Sequence, residues 1–145
     1  MRYMLMVKST GYSEAGVKHG REYNDAMIAF RQSLARAGVL LAAEDLQPSS
    51  SGIRITYPLQ GGKPEVNVGP FPVDQQLIAG YTLIDVTTEE EAVEWALRMP
   101  VPISHGEYEI EMRKLQENLD AMRDPRALAM EGDLEDQINM LKKYK

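Results

Sequence analysis

The sequence predicts an α+β domain in which helices cover one face of an antiparallel sheet. Some apolar segments alternate with polar residues at the two-residue period of strands, and others repeat every three or four residues, as helices do. In order, these segments predict a strand, a helix, two or three strands, a helix and a strand. This order is typical of a ferredoxin-like α+β sandwich.

The first strand is an apolar run near the N-terminus. Because strand side chains alternate, Tyr3, Leu5 and Val7 share one face, and Met4 and Met6 take the other. Both faces are therefore predicted to be buried, although helices cover only one face of such a sheet. We expect the sheet of a second copy to cover the methionine face, which predicts a homodimer.

The first long helix is predicted from about Arg21. Its apolar stripe consists of Tyr23, Met27, Phe30, Leu34 and Ala37. Gly38 supplies a left-handed C-terminal cap, and residues 39–43 form the second strand.

A β-hairpin is predicted in the middle of the chain. Residues 53–57 alternate between apolar and polar types, and a turn at Gly61 and Gly62 leads to Val66 and Val68. The loop is longer than the two-residue ideal.

The remaining core elements follow the hairpin. Residues 77–86 form a long strand, and Thr87 and Thr88 each precede a glutamate by three residues, which is the spacing of a helix N-terminal cap. Pro100 ends this helix shortly after its apolar stripe. Residues 108–113 alternate apolar and charged side chains and predict the last strand.

The domain is predicted to span residues 1–117, with residues 118–145 as a C-terminal helical extension of the same domain. Leu134, Ile138 and Leu141 form the apolar stripe of a final helix. This stripe packs within the molecule, or it extends the dimer interface or binds a partner protein.

Composition excludes several classes of function. The net charge of −6 and the lack of basic runs argue against nucleic acid and membrane surfaces as partners. There is no cysteine, and the N-terminal apolar run is too short for a signal peptide or a membrane span. We therefore expect a cytoplasmic protein. The two histidines lack metal-ligand spacing and no glycine-rich phosphate loop follows a strand, so we expect neither a metal nor a cofactor.

Five short segments carry a family resemblance. In order, they are residues 37–40 (AGVL) with 44–48 (EDLQP), 68–71 (VGPF), 77–81 (LIAGY), 94–96 (EWA) and 109–113 (EIEMR). Together they resemble the YCII-related proteins of the DGPF type over residues 1–117. The resemblance implies a ferredoxin-like fold whose protomers pair sheet to sheet, as in dimeric α+β barrels. It implies little about reaction, since most members have no assigned activity and the wider group includes a dehydrochlorinase of a chlorinated aromatic.

The sequence departs from the family pattern on one loop. Val68 replaces the aspartate of the motif, and Gln75 and Gln76 replace a lysine–glutamate pair. Valine and glutamine cannot exchange protons near neutral pH, which argues against acid–base chemistry there. The wider family also implies a histidine–aspartate pair, for which the only histidine near the first helix is His19.

Three residues are predicted candidates for catalysis. Glu44 and Asp45 lie at a strand end, where a carboxylate can act as a base or anchor a ligand. Alternatively, Asp45 caps the following turn. His105 follows in a later loop, and a histidine side chain can act as an acid or a base near neutral pH, although a lone loop histidine is usually only solvated.

Five further residues are predicted to bind a ligand. Gly69 permits close approach and Phe71 offers an apolar wall, while Tyr81 offers a phenol. Glu111 and Arg113 share one face of the last strand, where Arg113 can clamp an anion. Each residue also has an alternative, purely structural role. Gly69 and Phe71 would form a rigid loop, Tyr81 would pack in the core, and Glu111 and Arg113 would lie on a solvated charged face.

Two functions follow from these residues. The favoured one is a non-catalytic small-molecule binding or regulatory module. The alternative is a cofactor-free lyase or isomerase that acts on a small polar or aromatic compound through carboxylate acid–base chemistry. Pure assembly through the C-terminal helix is a third possibility.

Overall fold

The computed structural model describes residues 1–74, 76–102 and 106–117, together with residues 134, 137, 138, 140 and 141. Gln75, His105 and most of the predicted extension lie outside the described residues. The chain divides by its contacts into two units, Met1–Leu115 and Gln116–Lys145. In the part of the chain that is described, no helix has the length and apolar character needed to cross a bilayer.

The described residues of the first unit form six strands and three α-helices. In chain order they are β1 (Arg2–Lys8), α1 (Gly11–Glu14), α2 (Arg21–Arg36), β2 (Leu40–Asp45), a 3₁₀ turn (Ser49–Ser51), β3 (Ile53–Thr56), β4 (Glu65–Val68), β5 (Ile78–Asp85), α3 (Glu89–Arg98) and β6 (Ile110–Lys114). Four strands form one sheet in the order β2-β5-β1-β6, and every neighbouring pair is antiparallel. This order confirms the predicted ferredoxin-like α+β fold.

The inner face of the sheet carries the core. Tyr3 and Leu5 point to this face and are buried, as predicted from their alternation. They pack with Phe30 and Leu34 from α2 and with Trp95 from α3, so both long helices cover the same face. The Phe30 and Trp95 rings meet edge to face with their centroids 6.2 Å apart, a favoured aromatic geometry.

The helix ends follow the predicted signals in most respects. Gly38 has φ of +73°, which confirms the left-handed cap after α2. Thr88 is the N-cap of α3, and its hydroxyl accepts a hydrogen bond from the Glu91 amide at 3.1 Å. The Glu91 carboxylate in turn accepts from the amide of Thr87 at 3.0 Å, one residue earlier than in a standard capping box.

The outer face of the sheet combines apolar and charged side chains. Directly opposed residues share a face in antiparallel strands. The register therefore forms two rows across the sheet, Glu44–Tyr81–Met6–Glu111 and Ala42–Leu83–Met4–Arg113. The four central residues are half-buried: Met4, Met6, Tyr81 and Leu83.

The predicted hairpin forms a separate two-stranded sheet from β3 and β4. Its tip contains Gly61 and Gly62, which both have positive φ. Ile53 opposes Val68, so one face of the hairpin is apolar, and both side chains are more than 60% exposed. The hairpin therefore adds no residue to the main core.

Candidate functional site

A cavity of about 450 Å³ lies between the inner face of the sheet and α2. Its volume falls within the range of small-molecule sites, roughly 300–1,000 Å³. Val7, Gly80, Thr82 and Asp45 line it from the sheet. Since Val7 opposes Gly80 and Gly80 opposes Asp45, three neighbouring strands form this wall.

Helix α2 supplies a second wall through one line of side chains. Tyr23, Met27 and Arg31 are spaced four residues apart, so they lie on the same helix face. Tyr23 and Met27 belong to the predicted apolar stripe, and Arg31 continues it with a charged group. Met99, at the C-terminal cap of α3, also contacts the cavity and is buried.

A pair of phenols bridges two walls of the cavity. The hydroxyls of Tyr23 and Tyr108 lie 3.4 Å apart and share a hydrogen bond. Burial raises the pKa of Tyr108 far above that of a free phenol, and the hydrogen bond with Tyr23 raises it further. Tyr108 is therefore a neutral phenol at physiological pH, able to donate or accept a hydrogen bond.

An ion pair forms the second bridge between helix and sheet. The Arg31 Nη2 donates to Asp45 Oδ1 at 3.0 Å. The Asp45 side chain is 79% exposed, whereas that of Arg31 is 31% exposed. The Arg31 Nε is buried and has no hydrogen-bond partner within the described residues. The guanidinium of this cavity-lining residue thus retains an unsatisfied donor.

The segment between β1 and α2 forms the third side of the cavity. Thr10, Ser13, Val17 and His19 line it, and the His19 ring lies 4.2 Å from the Tyr23 ring between centroids. Thr10 caps the short helix α1, because the Thr10 and Ser13 side chains each accept from the other residue's amide. This reciprocal pair lets four residues hold a helical turn.

Glu14 fastens this segment to the loop after β2. Its carboxylate accepts a hydrogen bond from the Ser49 amide at 2.8 Å and a second from the Ser49 hydroxyl. The Ser49 Oγ also accepts from the Phe71 amide at 2.8 Å. Three segments remote in sequence therefore meet at Ser49.

Gly80 keeps the sheet wall open. A Cβ at this position would lie 2.9 Å from the Glu44 carbonyl oxygen and 3.2 Å from the Asp45 carboxylate. No side chain fits there without moving β2. A glycine inside a strand often marks such a close approach.

The predicted site residues fall into separate places. Asp45 lines the cavity, but Glu44 precedes it in β2 and points to the outer face. Tyr81 borders the cavity between Gly80 and Thr82, and its side chain alternates to the outer face. The structure therefore brings Glu44 beside Tyr81 and separates both side chains from Asp45.

Glu111 and Arg113 lie on the outer face of β6, the edge strand opposite β2 in the sheet. The Glu111 carboxylate accepts from Arg113 Nη1 at 3.4 Å and pairs with Lys8 Nζ at 3.4 Å. The hydrogen bond from Arg113, and then the one from Lys8, lower the pKa of Glu111. Arg113 is thus partly neutralised by its own neighbour.

Gly69 and Phe71 belong to the loop held by Ser49. A Cβ on Gly69 would lie 1.8 Å from the Ser49 carbonyl oxygen, so this position requires glycine. The Arg54 guanidinium lies 4.1 Å from the centre of the Phe71 ring. Neither Gly69 nor Phe71 is among the described residues that line the cavity.

Arg31 and Tyr108 were not predicted as site residues, and His19 was considered only as the histidine of the family's histidine–aspartate pair. The sequence does contain an indication for Arg31, because this residue places a charge one turn beyond Met27 on the helix face that is predicted to be buried. Tyr108 was assigned to the apolar face of the last strand, but it precedes β6 and reaches Tyr23 instead. Pairing between such distant residues is a tertiary property that spacing does not reveal.

Comparison with known proteins places the chain in a family. The model of the YCII-related domain matches residues 1–113, from before β1 into β6. No curated protein matches the chain. Because this match includes the cavity, both long helices and nearly all of the sheet, the chain belongs to the YCII-related domain family.

Proposed function

We propose that this protein is a small-molecule binding module and that the ligand occupies the cavity between α2 and the inner face of the sheet. The cavity itself carries the proposal, since about 450 Å³ of space is lined by apolar side chains such as Val7, Met27 and Met99 and by polar groups such as Arg31 and Tyr108. Apolar surface that fills the pocket and polar groups that orient the ligand are the usual components of a ligand site.

The polar groups of the cavity favour binding over proton transfer. Tyr108 is held neutral by burial, so its phenol serves as a hydrogen-bonding group rather than a base. Arg31 and Asp45 balance each other's charge. Such groups can orient a ligand through hydrogen bonds and ion pairs.

A cavity-filling variant tests this proposal. Met27→Trp adds an indole to the centre of the α2 wall, and we expect it to abolish the stabilisation given by fragment or metabolite hits in a thermal-shift screen. Leu97→Trp, at an exposed position of α3, is the matched control and should bind as the wild type does. Hits that stabilise the Met27→Trp protein equally would place binding elsewhere.

The alternative function is a cofactor-free lyase or isomerase. One observation favours it: the His19 imidazole and the Asp45 carboxylate both line the same cavity, and either type of group can move protons. Turnover assays on the screening hits test this function. Catalysis predicts product formation that His19→Gln or Asp45→Asn reduces at least about 100-fold. Binding without product formation would contradict the catalytic alternative and support only the binding-module function.

We also propose that the protein is a homodimer whose two sheets pack through their outer faces. The apolar residues Met4, Met6 and Leu83 lie at the centre of this face, and charged residues flank them on both edge strands. An apolar centre with a polar rim is typical of protein interfaces.

A further inference from the structure

We propose that the cavity takes a small carboxylate carried on a flat apolar body, and that the Asp45 side chain competes with this carboxylate for Arg31. The inference rests on the proposed binding function and specifies its ligand. It follows from the donors of Arg31, the exposure of Asp45 and the charge of the cavity lining.

Arg31 provides the recognition element. Its guanidinium uses Nη2 to bond Asp45, while its buried Nε has no hydrogen-bond partner within the described residues. A guanidinium presents paired donors that match the two oxygens of a carboxylate. Because Nε is buried, the guanidinium must turn for a ligand carboxylate to reach it. A carboxylate that bonds Nε and a neighbouring Nη together would then satisfy both donors, which Asp45 does not do.

Asp45 is placed to give way to a ligand. Its side chain is 79% exposed, and its only ion pair within the described residues is the one with Arg31. The carboxylate can therefore turn into solvent without leaving a buried charge unpaired, and the incoming anion would take over Arg31. A charged side chain in this position lowers the apparent affinity for any anion.

The rest of the cavity defines the ligand further. Val7, Met27 and Met99 offer an apolar lining, and the tilted rings of His19 and Tyr23 offer an aromatic wall. These surfaces suit a planar hydrocarbon or aromatic body. The phenols of Tyr23 and Tyr108 can bond a polar substituent on it.

The charges of the lining favour a single negative charge. Arg31 faces Asp45, and the other cation in the described lining, Lys8, pairs with Glu111. A dianion such as a phosphate monoester would meet too little positive charge to offset its desolvation. A monocarboxylate is therefore the better match.

Fluorine NMR with two matched probes tests the inference. 4-Fluorobenzoate carries the charge, and 4-fluorobenzyl alcohol has a similar body without it. We expect Arg31→Met to weaken benzoate binding at least about tenfold, which is the scale of a hydrogen bond to a charged group. Asp45→Asn should instead tighten benzoate binding severalfold. Neither substitution should change binding of the alcohol more than about twofold. Arg36→Met replaces an exposed arginine of the same helix and is the control, and it should change the binding of neither probe.

The possible outcomes separate the inference from the function on which it rests. Weaker benzoate binding in Asp45→Asn, or equal losses for both probes in Arg31→Met, would overturn the carboxylate inference while binding in the cavity stands. Binding of neither probe to the wild-type protein would count against the proposed function and the inference together. Circular dichroism of each variant identifies any loss caused by misfolding.

Discussion

At the scale of single residues, Gly80 decides how much space the cavity retains. The Gly80→Ala methyl would be only 2.9 Å from the Glu44 carbonyl oxygen, so β2 must move. We expect a loss of about 1–3 kcal/mol in unfolding free energy, as for other overpacked sites, together with weaker ligand binding. Chemical denaturation measures the first effect and fluorine NMR the second.

Gly11→Ala is the matched control for this substitution. A Cβ on Gly11 meets no atom within 4 Å, and this residue does not line the cavity. The unfolding free energy and ligand affinity of the Gly11→Ala protein should therefore stay close to those of the wild type. Equal losses in the two variants would contradict the steric role assigned to Gly80.

Glu111 makes a pH-dependent contribution to stability. Arg113 and Lys8 lower its pKa below 4.5, the reference value for a glutamate. A carboxyl group with a lowered folded-state pKa stabilises the protein above its unfolded-state pKa, and this contribution disappears as the pH falls through the folded-state value. We therefore expect the melting temperature of the wild type to fall more than that of Glu111→Gln between about pH 5 and pH 3.

The difference in this pH series should be small, because the Glu111 side chain is 37% exposed and solvent screens the pair. Glu109→Gln, a neighbouring exposed glutamate, is the control and should follow the wild type. Identical pH profiles for wild type and Glu111→Gln would show that the contacts with Lys8 and Arg113 add nothing to stability.

Strand alternation explains why only part of the site could be predicted from single residues. Asp45 was expected at a strand end and lines the cavity. Glu44 was grouped with it, yet β2 continues through both residues, so alternation sends them to opposite faces. The predicted strand ended at Ala43. Extending it by two residues would have separated the two carboxylates.

At the scale of elements, the N-terminal cap of α3 is open to a direct test. Thr88→Ala removes the hydroxyl that accepts from the Glu91 amide. We expect a loss of about 1 kcal/mol in unfolding free energy by chemical denaturation. Thr88→Ser retains the hydroxyl and should recover most of this loss. A Thr88→Ala protein as stable as the wild type would contradict the capping role.

The elements with repeating apolar patterns were predicted well from the sequence. The α2 stripe from Tyr23 to Leu34, the β1 alternation and the hairpin turn at Gly61 and Gly62 occur as expected, because burial on one face imposes a period that survives in the sequence. Ala37, the last predicted member of the stripe, is instead the exposed C-cap of α2. Helix α1 lacks such a stripe and has no buried residue. Its stability comes from the Thr10 cap and from the bond between Glu14 and Ser49, which is visible only in three dimensions.

At the scale of the whole molecule, the proposed dimer is tested by its mass in solution. The wild type should sediment with twice the mass of the chain at micromolar concentration. Met4→Glu places a charge at the centre of the outer face, and we expect it to shift the equilibrium toward monomer, since an unpaired charge is costly to bury. Leu97→Glu, at an exposed position of α3, is the control and should remain dimeric.

Monomeric wild-type protein under these conditions would contradict the proposed interface. A stable interface buries about 800 Å² on each partner, so the central methionines alone do not suffice and the flanking strands must take part. The C-terminal stripe is a further candidate surface. Leu134, Ile138 and Leu141 are helical and each is about half exposed or more.

The junction at Ser49 has a practical consequence for studying the protein. One hydroxyl joins Glu14 and Phe71, and the Gly69 amide bonds the Gly52 carbonyl at 2.9 Å, so both ends of the hairpin are anchored at its base. The hairpin tip makes no such bond to the cavity walls in the described contacts. A fluorescent reporter or affinity tag inserted between Gly61 and Gly62 should therefore leave ligand recognition intact, which makes this turn the preferred attachment site for binding assays.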